Sequence, residues 1–104
     1  MKQRNDILIV IENTRNYISI KGHANYADYG KDIVCSAVSI LIQTLIQSIE
    51  ELTADKIKYS MSAGNVDIEY RNLSEKSQTL LDSFFIGLKM IADEYPKNVK
   101  LSKR

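Results

Sequence analysis

The chain contains one cysteine and one histidine, Cys35 and His23, twelve positions apart. A thiol and an imidazole within hydrogen-bond reach form the basic unit of thiol-based nucleophilic catalysis. The thiolate attacks a carbonyl carbon and the imidazole moves the proton. The segment that holds them reads Gly22-His23-Ala24-Asn25-Tyr26-Ala27-Asp28-Tyr29-Gly30-Lys31-Asp32-Ile33-Val34-Cys35. With Asp32 as the N-cap of the helix that follows, Cys35 becomes its third residue. Backbone N–H groups there lack intrahelical partners, and the helix dipole favours negative charge. Both effects favour the thiolate, which is the reactive form, and the same N–H groups suit an oxyanion. The Asp32 carboxylate opposes them, so an imidazolium from His23 is needed beside the sulfur. Gly22 and Gly30 bracket a segment able to fold back and carry His23 to Cys35. Ser39 lies one helical turn beyond Cys35 and projects from the same side.

Blander roles fit the same residues. A lone helical cysteine is most often a small buried apolar group, and a lone histidine beside a glycine is often a turn residue. Asn25, Asp28 or Asp32 are each able to orient an imidazole, and spacing does not choose among them. A structural zinc site takes four ligands, and one Cys with one His falls short. No phosphate-binding glycine loop or nucleotide fingerprint is present, so no cofactor or metal is expected.

The elements that must position these residues are legible from periodicity. Residues 7–11 form a continuous β-branched and apolar run, suited to a strand with both faces covered. Asn13-Thr14-Arg15-Asn16 is turn chemistry, and residues 17–21 then alternate apolar with polar, completing a hairpin. From Ile33 to Leu52 the period becomes 3.6, with Val34, Val38, Leu41, Leu45, Ile49 and Leu52 on one helical face. Residues 57–61 and 66–70 alternate around Ser62-Ala63-Gly64-Asn65, giving a second hairpin. Ser74 suits an N-cap with Glu75 in the first turn. Leu80, Leu81, Phe84, Leu88 and Ile91 form that helix's buried side, and Pro96 ends it. Val99 and Leu101 alternate in a last strand. The order ββαββαβ favours an α+β fold, a two-layer sandwich with a mainly antiparallel sheet and both helices on one face.

Length and charge bound the function. The 104 residues are 44% hydrophobic and 26% charged, which suits a single domain spanning residues 1–104. Fourteen Lys and Arg against 13 Asp and Glu leave a net charge of +1. Proteins that grip phosphate backbones usually carry a larger basic excess, so direct nucleic-acid binding is not expected. Lys97, Lys100, Lys103 and Arg104 read as a solvated edge strand and tail. The first apolar run has five residues, shorter than the roughly 7–15 of a signal-peptide core. No stretch reads as the roughly 20 apolar residues of a membrane span, so no membrane partner is expected. A cytoplasmic protein with a reduced thiol is the expectation.

The elements Gly22-His23-Ala24, Gly30, Asp32-Ile33-Val34-Cys35 and Ser39 resemble the signature of the ribosomal-processing cysteine proteases, the Prp family. Ser36 departs from it, since many relatives carry alanine after the cysteine. Length and element order fit over essentially the whole chain. The resemblance implies a cysteine endopeptidase that removes a short N-terminal extension from a large-subunit ribosomal protein precursor and so supports ribosome assembly. It makes Cys35 the nucleophile and His23 the general base. Gly22, Gly30, Asp32 and Ser39 match supporting positions, and a homodimer is implied. The alternatives are a non-catalytic ribosome-associated binding module of the same fold, or a structural protein that pairs through its helix faces. Under the protease reading, residues 22–30 are expected to order over a bound peptide, with His23 and Cys35 apart until then.

Overall fold

The computed structural model describes residues 9–14, 16–22, 29–62 and 65–103. Seven elements follow in the order expected: β1 (Ile9–Thr14), β2 (Tyr17–Lys21), α1 (Tyr29–Leu52), β3 (Ile57–Ser62), β4 (Asn65–Tyr70), α2 (Glu75–Glu94) and β5 (Val99–Lys103). The strands form one sheet in the order β3-β4-β2-β1-β5. Three of its four pairings are antiparallel, and β5 runs parallel to β1. This mixed sheet is the form the mainly antiparallel expectation takes. The parallel pair arises because β5 enters only after α2 has recrossed the sheet, as parallel neighbours require.

Register fixes which face is covered. Ile11 pairs with Ile20 and with Leu101, Ile18 with Ile68, and Ile20 with Val66. Directly paired residues share a face, and all of these but Leu101 belong to one buried cluster with Val34, Val38, Ile42, Leu45, Ile46 and Ile49 of α1; the half-buried Leu101 packs against it. Leu81, Phe84 and Leu88 of α2 join the same cluster, so both helices cover one face. The opposite face is polar. There Tyr17 donates a hydrogen bond to Asp67 (2.5 Å), and the Asn65 side-chain amide donates to the same carboxylate at 2.9 Å. Those donors hold the Asp67 carboxyl below the usual carboxylate range, the Tyr17 bond being the larger cause.

Two expectations about α1 need correction. The helix begins at Tyr29, one turn earlier than expected, so Asp32 and Gly30 lie within its first turn rather than at a cap and a loop end. An acidic residue is favoured by the dipole throughout the first turn, so an aspartate there does not mark the cap. Its buried side is also wider than expected. Ile42 and Ile46 are buried, while Leu52 is 60% exposed near the end of the helix. Ile33–Leu52 has the length and mean hydropathy, 1.6, of a membrane span, contrary to the sequence reading. In the fold, one side of this segment packs on the sheet, and Ser36, Gln43, Gln47 and Glu50 lie exposed on the other.

The start of α2 is tied to the end of α1. Ser74 has extended backbone and its hydroxyl accepts from the Ser77 N–H, as an N-cap does. Asp55, three residues past α1, accepts from both the Ser74 N–H (3.0 Å) and the Ser74 hydroxyl (2.6 Å). The buried Ser77 hydroxyl also donates to Asp55. Asp55 thus caps a helix it does not belong to, and these bonds lower its carboxyl from the ordinary value, the Ser74 hydroxyl contributing most. Between the helices, Gly87 faces Leu41 so closely that an added Cβ would lie 3.0 Å from a Leu41 methyl.

Candidate active site

β2 ends at Lys21, and Gly22 follows with φ 104°. That backbone is open to glycine and strained for residues with a Cβ, so Gly22 sets how the chain leaves the sheet. The next residue is His23. His23 and residues 24–28 lie outside the described residues, and so do the expectations about their order and about the separation of His23 from Cys35.

A cleft of about 240 Å³ opens at this end of the sheet. Gly22 lines it beside Cys35 and Ser39 of α1, so three of the expected site residues share one hollow. Its apolar floor includes Ile20, Val38, Ile42 and Val66. Cys35 is half-buried, with its surface divided between the core and the cleft.

Cys35 is the seventh residue of α1 rather than the third, so its own N–H belongs to the intrahelical ladder. The unpaired first-turn donors expected near the sulfur lie further toward Tyr29. Ser39 sits one turn on, and the Gln43 amide donates to its hydroxyl at 3.4 Å. Asp32 and Gly30 take backbone positions in the first turn of the same helix.

The cleft's remaining wall comes from a region the sequence reading left without function. Met61 and Ser62 of β3 and Asn65 of β4 line it. No spacing rule links them to Cys35. They arrive because β4 inserts beside β2 in the sheet. A larger hollow of about 610 Å³, lined by Tyr17, Lys56, Tyr70 and Arg71 among others, lies by the start of β2, toward the other end of the sheet. It contains no thiol. Among the described residues no group of three His, Cys, Asp or Glu side chains is placed to hold a metal ion.

Such a cleft offers a single thiol, a polar neighbour one turn away and an apolar floor. The comparisons with known proteins agree with that chemistry. The family described as Cysteine protease Prp matches residues 7–100. A ribosomal processing cysteine protease Prp from Staphylococcus aureus is 28% identical over 100 residues, covering 93% of this chain and 94% of the relative. Two crystal structures of an essential ribosomal processing protease Prp from S. aureus share the fold. One is a complex with a substrate peptide, at TM-score 0.82 and 23% identity, covering 94% of this chain and 99% of that one. The other carries a covalently linked product peptide, at TM-score 0.80 and 24% identity with the same coverage. This chain is a cysteine protease and belongs to the Prp family.

Proposed function

We propose that the enzyme removes the N-terminal extension of a large-subunit ribosomal protein precursor, acting in the cytoplasm as a homodimer, with Cys35 as nucleophile and His23 as general base. The observation that carries the catalytic part is the shared cleft. The chain's only thiol lines it together with Gly22, the residue that tethers its only imidazole. The relatives' role in ribosomal processing supports the choice of substrate.

The reaction follows from these groups. His23 accepts the Cys35 proton as the sulfur attacks the scissile carbonyl carbon, giving a tetrahedral oxyanion. Collapse breaks the C–N bond, and the imidazolium returns the proton to the departing amine. The N-terminal fragment remains on Cys35 as a thioester. A water, deprotonated by His23, then attacks the thioester carbonyl and releases the fragment as a carboxylic acid and the thiol. Ser39 lines the same hollow and supports substrate or water there. Asp32, in the first turn of α1, is kept as a supporting residue.

Incubation with an N-terminally extended large-subunit ribosomal protein, followed by intact-mass measurement, tests the reading. One cut that removes the extension, absent with Cys35→Ala, is the expected result. An untouched precursor under conditions where the enzyme cuts other peptides would rule out this substrate.

A further inference from the structure

The layer of helices stops short of β3. Residues 58–62 of β3 are exposed, whereas Val66 and Ile68 on the neighbouring β4 are buried. In register, Met61 pairs with Val66 and Tyr59 with Ile68. Paired side chains share a face, so Met61 and Tyr59 stand on the helix-covered side yet remain 44% and 46% exposed. β3 is also an edge strand, and an edge leaves a row of backbone donors and acceptors unused by its sheet. Met61 and Ser62 line the same cleft as Cys35. An open strand edge therefore carries two side chains at a strand's two-residue spacing, of which Met61, the one nearer the nucleophile, lines its cleft.

We propose that the substrate peptide binds as an added strand along β3, with Met61 and Tyr59 as specificity-determining residues that contact alternate substrate side chains. This assignment rests on the reading of Cys35 as nucleophile. Strand addition places main-chain hydrogen bonds along the edge and selects alternate side chains by the pockets beneath them. The cleft's 240 Å³ is below the roughly 300–1,000 Å³ that encloses a drug-sized ligand, and it suits one large apolar side chain. Met61 meets that side chain at the cleft. Tyr59, about 6.6 Å further along the strand, meets the side chain two residues away.

The test uses a positional set of internally quenched octapeptides cut by the wild-type enzyme, with Met61→Ser and Tyr59→Ser as variants. Both side chains are substantially exposed, so melting temperatures should stay near wild type. Met61→Ser should erase most of a preference for large apolar residues over alanine at one substrate position, a preference of about tenfold or more by analogy with other apolar pockets. Tyr59→Ser should do the same two positions away. Binding to Cys35→Ala, read by fluorescence anisotropy of the best-cut peptide, separates recognition from chemistry. Peptides N-methylated at successive backbone nitrogens should lose affinity at alternate positions. Unchanged preference profiles in both variants, or equal tolerance of N-methylation at every position, would overturn the assignment. Cleavage by Cys35→Ala at the wild-type rate would instead overturn the nucleophile reading on which it rests.

Discussion

At Gly22 the backbone leaves β2 with φ 104°, in a region where a Cβ is strained and the left-handed conformation costs roughly 1–2 kcal/mol. Gly22→Ala is therefore expected to lower stability by about that amount, seen in thermal melting. It should also lower kcat/KM, because Gly22 lines the cleft beside Cys35. A variant with wild-type melting and wild-type kcat/KM would show that the conformation at Gly22 is not needed. His23→Ala is expected to lose about 10²–10⁴-fold in rate, the usual contribution of a general base. Residues that act as one unit are strongly non-additive. The His23→Ala, Cys35→Ala double variant should therefore be scarcely slower than Cys35→Ala, and multiplied losses would separate the two residues mechanistically. Much of this constellation was legible in the chain because Gly22, Cys35 and Ser39 fall within eighteen consecutive residues. Met61, Ser62 and Asn65 were not, since only the order of strands in the sheet brings them to the sulfur.

The elements show what periodicity can and cannot carry. Each helix and strand was anticipated in type and order because the apolar repeats are clean. The Ser74 cap was found because its chemistry is local. The early start of α1 was not, since an aspartate suits both a cap and a first turn. Nor was the remote cap, because nothing local joins Asp55 to Ser74. In the folded protein the hydroxyl and N–H donors hold the Asp55 carboxyl below its ordinary value. The stabilisation they supply is present above the unfolded-state value near 4 and is lost as pH falls below it. Melting measured against pH should accordingly show a steeper acid limb for wild type than for Asp55→Ala, with the variant also less stable at pH 7. Parallel limbs would remove Asp55 from the account of α2. At the helix contact, Gly87→Leu should destabilise by about 1–3 kcal/mol, as overpacking does, because Leu41 already stands 3.0 Å from where a Cβ would sit. Denaturant melts read that change directly, and an unchanged midpoint would contradict the close packing.

Across the whole molecule the helices and one face of the sheet build the core, and the thiol's cleft opens at one end of it. Both helices share a core with one face of the sheet, and the other face is polar. The cleft lies at the end of β2 and the start of β4, beside Cys35 and Ser39 of α1. Whether His23 activates Cys35 is read from the alkylation of Cys35 by iodoacetamide near neutral pH, in wild type and in His23→Ala, because the chain has a single thiol to report. Rapid modification of one equivalent is expected in the folded wild-type protein, and markedly slower modification once the imidazole is removed. Slow modification of the folded wild type, or a rate that His23→Ala leaves unchanged, would contradict that activation.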